Sequence, residues 1–519
     1  MSAALERSRR LVVPELVARS ARRRPDAPAL AFEGATRSFA ELDERANRVA
    51  GALAARGVGP GDNVAILMFN RLEFVESFLG IQKLGACAVP VNFRLSQAEA
   101  DYVLADSRAV GILCDEELAA MGRAAARTLP AVRFQLVAGA GVDGAESYEE
   151  ALAAASPEPP ELVVEDEQLA FLMYTSGTTG RPKGAMLSHQ NLVVNTMNWI
   201  YETGARDGDV WLSGLPLFHI GGLNGVLPFL ALGSLAVIEP STGFDPALSL
   251  RRLAEHDVSM CFFVPTQWLE ICERSEVAEL DPARLRVAMW GASPSPLPTL
   301  ELLARTFPAV QIVNAFGQTE MSSNTAFLKG EDAIRKMGSV GHTAINVEAR
   351  IVDERGADVP PGEVGEIVYR GPTVMRGYFG KEEETATAFA GGWFHSGDLV
   401  REDDEGFLYV VDRLKDMLIS GGENVYPAEV ERTLIAHPAV AEVAVVGIPH
   451  PRWVETPLAV VVLGPGAEAS EAELIEHCRE RLAGYKKPSA VVFAEAIPRN
   501  AAGKVLKRQL REEHTALFS

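Results

Sequence analysis

The chain has 519 residues, 47% hydrophobic and 23% charged, with a formal net charge of −21. That length exceeds what one hydrophobic core serves and predicts two or three domains of an ordinary globular protein. The acid excess argues against nucleic acid and anionic membrane surfaces as main partners, and a polyanionic ligand must meet a locally basic site.

The Arg- and Ala-rich start, Ser8 to Arg24, carries Glu15 and an early apolar periodicity and reads as a first helix rather than a transit peptide. Through residues 30–165 the apolar runs Val64 to Phe69, Ala86 to Val91 and Val110 to Cys114 alternate with helical patterns. This is α/β order and predicts sheets flanked by helices. Residues 150–160, rich in Ala and Pro, read as a surface linker. Leu169 to Met173 and Ala185 to Leu187 read as short strands around Tyr174-Thr-Ser-Gly-Thr-Thr-Gly-Arg-Pro-Lys-Gly184. Glycines let a backbone approach a ligand, and successive N–H groups, hydroxyls and Lys183 make an anion-binding concavity suited to polyphosphate. A plain Gly/Ser/Thr hairpin is the alternative. The loop is not a Walker A sequence, because Pro182 precedes Lys183 and no Ser or Thr follows it.

Val210 to Ile238 contains no Asp, Glu, Lys or Arg and is long enough to span a membrane, but Pro216, Pro228 and several glycines interrupt it. It reads as a strand, a turn at Pro216, a buried helix from about Gly222 and a strand after Gly233, so no integral membrane span is expected. Gly291-Ala-Ser-Pro-Ser-Pro reads as a Pro-rich turn. A strand from Val310 to Val313 precedes Asn314-Ala-Phe-Gly-Gln-Thr-Glu320, where a loop glutamate beside phosphate oxygens could hold Mg²⁺. Gly392-Trp-Phe-His-Ser-Gly-Asp398 ends in an acid of turn-forming type. Residues 413–519 change character. Pro427 to His437 is predicted helical with Val430, Leu434 and Ile435 on one face, Val443 to Ile448 is a strand, and a Ser470/Glu473 capping box opens a helix to Leu482. Half of the ten lysines (Lys183, Lys415, Lys486, Lys487 and Lys504) sit in motifs. An ammonium point charge is not replaceable by a planar guanidinium where a single oxygen must be reached. Cys87, Cys114, Cys261, Cys272 and Cys478 have no metal-like spacing, which implies reduced thiols and a cytoplasmic location. The closing Ala-Leu-Phe-Ser is not a peroxisomal signal.

The string Tyr174 to Gly184 resembles the phosphate loop of the adenylate-forming superfamily, which includes acyl-CoA synthetases (the 4-coumarate and feruloyl-CoA ligases among them), peptide-synthetase adenylation domains and beetle luciferases. Further motifs in the expected order extend the resemblance over most of the chain. It implies an α/β fold with a large multi-sheet N-terminal adenylation domain, residues 1–412, and a small mobile α+β domain, residues 413–519, hinged at Lys415. It also implies ATP bound by Thr175, Ser176, Gly177, Thr178, Thr179, Gly180 and Lys183, and adenine flanked by Gly291, Ala292, Asn314, Ala315, Phe316 and Gly317. Thr319 would contact the α-phosphate, Glu320 would hold Mg²⁺, and Asp398 and Arg413 would hold the ribose. Lys504, in Ile497-Pro-Arg-Asn-Ala-Ala-Gly-Lys504, would bridge the carboxylate and the α-phosphate. Two positions depart mildly from the family pattern: Lys415, where many relatives carry Asp, and Ala502, where Ser is usual.

For the second substrate, CoA, the resemblance implies a thiol tunnel at Gly421 and Gly422 and nucleotide contacts from Tyr485 and Lys487. His219, a satisfied core histidine on the plainer reading, matches a position near the substrate carboxylate, with Gly222, Trp290, Phe316 and Gly317 around the acyl group. The implied activity is ATP-dependent ligation of a hydrophobic carboxylic acid to CoA through acyl-AMP, in a monomer or homodimer. A medium- or long-chain fatty acid is the first expectation and an aryl acid of the cinnamate type the second. A ligase loading a carrier protein is the rival, followed by a luciferase-like oxidoreductase and a non-catalytic nucleotide binder. The absence of a basic residue from Val210 to Ile238 weighs against a dicarboxylate.

Overall fold

The computed structural model describes residues 3–139, 142, 144–175, 181–279, 284–291, 295, 297–330, 332–420, 423–500 and 503–518. Two compact units form, one from residues 1–349 and 369–394, the other from 350–368 and 395–519. In this grouping the expected boundary at 412/413 falls inside the second unit, at the end of the strand Leu408–Arg413.

The first unit holds two large sheets. One orders the strands Glu146–Ser147, Phe134–Ala138, Ala109–Asp115, Asn63–Leu67, Cys87–Pro90, Leu169–Thr175 and Lys183–Ser188. Its pairs are parallel except the last, where Leu169–Thr175 turns back on Lys183–Ser188. Strands buried on both faces read as continuous apolar runs, which is how Asn63–Leu67 and Cys87–Pro90 read. The other sheet has nine strands, with Trp211–Ser213, Met260–Phe262, Val287–Gly291 and Gln311–Gln318 parallel at its centre and Ser323–Leu328 antiparallel beside them.

The run without charge resolves into the strand Trp211–Ser213, the helix Ile220–Leu232 and the strand Ala236–Ile238. The helix is apolar all round because it is buried all round. Gly222 lies against the carbonyl of Pro216, where a Cβ would stand 2.4 Å from the oxygen, and Gly225 faces the Trp211 ring, where a Cβ would stand at 2.8 Å. No helix among the described residues is long and apolar enough to cross a membrane.

Three local expectations are corrected. The linker at 150–160 begins as the helix Tyr148–Ala153, because the Ser147 side chain accepts from the Glu150 N–H and Leu152 buries against the core. Asn314 to Gln318 continue the strand from Gln311 instead of forming a loop, since pairing with Ser323–Leu328 satisfies their backbone. Asp398 lies within the strand Phe394–Glu402, not in a turn.

The second unit contains a four-stranded sheet ending in the pair Phe394–Glu402 and Leu408–Arg413, and a five-stranded sheet around the long hairpin Val440–His450 and Val454–Leu463. The helix Pro427–Ile435 buries Val430 and Leu434, whereas Ile435 is exposed, one step off the apolar stripe. The helix Glu471–Arg479 opens on the expected Ser470/Glu473 capping box.

Candidate active site

In the first unit the site grows from the hairpin Leu169–Thr175 and Lys183–Ser188, whose register pairs Tyr174 with Gly184 and Thr175 with Lys183. Ser176, Gly177, Thr178, Thr179 and Gly180 lie outside the described residues, as do Ala292, Gly421 and Gly422. Both stems of the loop are tied down by residues distant in sequence. The Tyr174 hydroxyl donates to Asp106 Oδ2 at 2.8 Å, Lys381 Nζ donates to Asp106 Oδ1 at 2.8 Å, and the Tyr102 hydroxyl donates to the Pro182 carbonyl at 3.1 Å. Burial and the Asp106 charge push the Tyr174 phenol well above its ordinary value, so it remains a donor.

Thr319 and Glu320 occupy a single turn, Thr319–Met321, between the paired strands. The next two residues, Ser322 (φ 60°) and Ser323 (φ 112°), hold positive φ without being glycine. Such backbone costs about 1–3 kcal/mol per residue and persists only where surrounding contacts over-determine it. Those contacts are present. Ser322 Oγ donates to the Thr373 carbonyl at 2.9 Å, and the Met375 N–H donates to the Glu320 carbonyl at 2.7 Å. Asn195 Nδ2, fully buried, donates to the carbonyls of Asn324 at 2.9 Å and Met321 at 3.3 Å. A Cβ on Gly317 would stand 1.8 Å from the Ser323 carbonyl oxygen, so only glycine fits there.

The Glu320 carboxylate therefore projects beside the hairpin. Its Oε1 accepts the Tyr378 hydroxyl at 3.0 Å and lies 3.5 Å from Thr175 Oγ1. Lys183 Nζ stands 5.0 Å over the centre of the Tyr378 ring. Thr175, Lys183 and Glu320 are thus brought together around one tyrosine. Among the described residues no cluster of three metal-ligating side chains exists. A single carboxylate completed by phosphate oxygens is the arrangement Mg²⁺ takes with nucleotides, so Glu320 fits that ion.

The other expected residues of this unit are placed as follows. Asn314 is buried and donates to the Ser339 carbonyl at 3.3 Å. Ala315 is buried, Phe316 half-buried and Gly317 exposed at the strand end. Gly291 pairs with Ala315, and a Cβ on it would stand 2.3 Å from the Ala315 oxygen. Trp290 is 6% exposed and packs in the core cluster with Trp268 and Phe307, which gives it a structural place. Gly222 is likewise occupied in seating its helix on the Leu215–Pro216 turn. His219 precedes the helix Ile220–Leu232, half-buried, with its ring 4.3 Å from that of Phe218. The turn before it is fixed by Asn70, which accepts from the Leu217 N–H at 2.8 Å and donates to the carbonyls of Leu215 and Glu239 at 3.0 Å each.

Within the second unit, Asp398 is 2% exposed, and Arg413 Nε meets its Oδ1 at 2.7 Å across directly paired strands. Asp412 Oδ2 accepts the Ala428 N–H at 2.8 Å and so caps the helix Pro427–Ile435. Lys415 is exposed two residues after the Arg413 pair. Tyr485 is exposed, Lys487 is half-buried, and Lys486 is bound to Glu429 at 2.8 Å. Lys504 is exposed on a tight turn where its N–H donates to Asn500 Oδ1 at 2.9 Å and the Asn500 N–H donates to its carbonyl at 2.8 Å. The five cysteines are free, and burial pushes their thiols up, Cys114 to about 12 and Cys272 and Cys478 to about 11. None offers a thiolate nucleophile at neutral pH.

Tyr378, Asp106, Asn195 and Asn70 did not stand out in the sequence. Each acts on a partner far along the chain, and no local pattern marks such a pair.

Residues 17–379 match the family described as AMP-binding enzyme, and residues 429–504 match the AMP-binding enzyme C-terminal domain. The chain is 40% identical over 495 residues to a feruloyl-CoA synthase of an Amycolatopsis species, covering 95% of this chain and 97% of the relative. It is 38% identical over 484 residues to the long-chain-fatty-acid–CoA ligase FadD13 of Mycobacterium tuberculosis, covering 92% of this chain and 93% of the relative. Among solved structures it is similar to the o-succinylbenzoate CoA synthetase of Bacillus subtilis in complex with its acyl-adenylate intermediate. The TM-score is 0.86 at 35% identity, covering 96% of this chain and 97% of the other. The same enzyme has also been solved with ATP and magnesium ion.

Proposed function

The chain belongs to the AMP-binding enzyme family, and on that premise we propose how its residues divide the work of an ATP-dependent, AMP-forming acid–CoA ligase. In the first half-reaction a carboxylate oxygen of the acid attacks the α-phosphate of ATP, forming an acyl–O–phosphate bond as pyrophosphate leaves. In the second, the CoA sulfur attacks the acyl carbon, AMP leaves, and the thiol proton passes to solvent. No protein nucleophile is required, so catalysis rests on positioning and charge neutralisation. The observation that carries the assignment is the meeting of Lys183, Thr175 and Glu320 around Tyr378 at the stems of a Gly- and Thr-rich loop.

Lys183 and the loop hold the β- and γ-phosphates, and Thr319 faces the α-phosphate. Glu320 holds Mg²⁺, which when bound neutralises charge on the phosphates. Asp398 accepts from the ribose hydroxyls with Arg413 beside it, and Lys504 supplies a positive charge to the carboxylate and α-phosphate. The C-terminal domain turns at Lys415 between the two steps, withdrawing Lys504 and presenting the Gly421–Gly422 segment and the Tyr485–Lys487 segment to CoA.

The acid is hydrophobic. The helix Ile220–Leu232, which carries no charged side chain, favours a medium- or long-chain fatty acid, in keeping with the fatty-acid ligase relative. Gly221 beside His219, where a Cβ would meet nothing nearer than Leu215 Cδ1 at 3.6 Å, would also admit a flat ring, and the feruloyl-CoA synthase relative supports an aryl acid as the second reading. The protein acts in the cytoplasm as a monomer or homodimer. The test is pyrophosphate release with fatty acids of increasing length, benzoate, cinnamate, ferulate and malonate, each with and without CoA. Turnover that needs CoA and favours one apolar class is expected. Acyl-AMP formation indifferent to CoA would assign the second step to a carrier protein.

A further inference from the structure

The motif that supplies Glu320 and the loop that supplies Lys183 meet on a residue belonging to neither. We propose that Tyr378 is a positioning residue for adenylation, holding the Glu320 carboxylate toward Mg²⁺ and the Lys183 ammonium toward phosphate while keeping the two from pairing with each other. This rests on the ligase reading above.

Tyr378 reaches both charges from one rigid place. Its ring lies under Lys183 Nζ at 5.0 Å, a distance at which the π face attracts an ammonium. Its hydroxyl donates to Glu320 Oε1 at 3.0 Å. Among the described residues Lys183 pairs with no carboxylate. A direct Lys183–Glu320 ion pair would cancel the two charges that the triphosphate and the metal require, and a neutral ring between them removes that competitor.

The backbone around Tyr378 is fixed from three sides. It extends the hairpin as an added edge, with Tyr378 opposite Ala185, the Phe379 N–H donating to Gly184 at 2.9 Å and the Met186 N–H to Gly377 at 2.9 Å. The Tyr378 N–H donates to Thr385 Oγ1 at 2.9 Å. Gly377 has φ +134°, and a Cβ there would stand 2.7 Å from Thr385 Cγ2, so the chain approaches more closely than another residue allows. Three residues earlier, Met375 binds the Glu320 carbonyl. One short segment thus grips Glu320 by backbone and side chain together.

The experiment compares wild type, Tyr378→Phe and Tyr378→Leu in Mg²⁺ titrations of acid-dependent ATP–pyrophosphate exchange. Mn²⁺ binding in the presence of a non-hydrolysable ATP analogue is followed in parallel by electron paramagnetic resonance. Phe keeps the ring and loses the donor. It should raise the Mg²⁺ midpoint about ten- to hundredfold and weaken Mn²⁺ by a similar factor, as expected for one hydrogen bond to a charged group. Its KM for ATP at saturating Mg²⁺ should stay near the wild-type value. Leu should raise that KM as well, and thiolysis of supplied acyl-AMP should persist in both. Superimposable metal titrations for wild type and Phe overturn the proposal. Equal loss of both half-reactions with an unmoved metal midpoint, the mark of a merely structural role, also overturns it. If wild type exchanges pyrophosphate with no acid, the ligase reading fails, and the Mn²⁺ measurement still decides for Tyr378.

Discussion

Glu320 needs more than a place in a motif. Its carboxylate is aimed by the positive-φ pair Ser322 and Ser323, by the close approach at Gly317, by hydrogen bonds from Asn195 and Met375 that reach in from other parts of the unit, and by the one Ser322 donates out to the Thr373 carbonyl. Backbone of this kind is stable only when several contacts insist on it, and here they surround the proposed metal ligand. Lys504 is the contrasting case, an exposed lysine on a turn tied by Asn500. Its proposed role is to supply charge in one step only. Lys504→Ala should therefore lower acid-dependent pyrophosphate exchange by about 10²–10³-fold, the size of removing one preorganised donor. Conversion of supplied acyl-AMP and CoA to acyl-CoA should be nearly unchanged, which single-turnover assays of each half-reaction would reveal. Parallel loss of both steps would remove the division of labour between them.

The helix Ile220–Leu232 shows how an element is seated by what its residues lack. Gly222 has no room, since a Cβ would meet the Pro216 carbonyl oxygen at 2.4 Å, whereas the nearest atom to a Cβ on Gly221 is Leu215 Cδ1 at 3.6 Å. The neighbouring substitutions should therefore act in opposite directions. Gly221→Ala should stabilise the protein by about 0.5–1 kcal/mol through helix propensity. Gly222→Ala should destabilise it by about 1–3 kcal/mol, because backbone must move. It should also raise KM for the acid, as the displaced turn carries His219. Urea unfolding of the two variants, with steady-state kinetics of the second, checks both statements.

At the scale of the whole molecule, stability should carry an acid limb that a buried histidine sets. His189 is fully buried, its Nδ1 accepting the Val13 N–H at 3.3 Å, and burial pushes it from 6.5 to about 3. Above 6.5 the imidazole is neutral whether the chain is folded or not. Between 6.5 and about 3 only the unfolded chain binds the proton, so stability falls as pH falls, by about 1.4 kcal/mol per unit. Asp115 acts oppositely. Burial raises it from 3.8 to about 6 against the Phe69 N–H and Arg71, so in that window the folded chain alone keeps the proton and stability falls as pH rises. Comparing wild type with His189→Gln cancels the Asp115 contribution. The stability advantage of the wild type should shrink by about 3 kcal/mol between pH 7 and pH 4.5 in urea unfolding. A constant difference would show that the histidine is not buried neutral.

The chain by itself determined the α/β order, the strands on either side of the Tyr174–Gly184 loop, the helix inside the uncharged run and the Ser470/Glu473 cap. All of these depend on periodicity, turn residues and neighbours within one or two helical turns. It also carried the family, because a string of Gly, Ser, Thr and Lys of the kind suited to phosphate leaves little freedom of residue type. Only the tertiary structure decided that Asn314 to Gln318 run on as strand, since the pairing partner that satisfies their backbone lies across a turn. It also placed Trp290 and Gly222 in packing, because which face of a strand or helix is covered depends on elements distant in sequence. And it brought in Tyr378, 58 residues from the carboxylate it binds. A contact of that span is made by the folding of two sheets' worth of chain, and no local spacing records it.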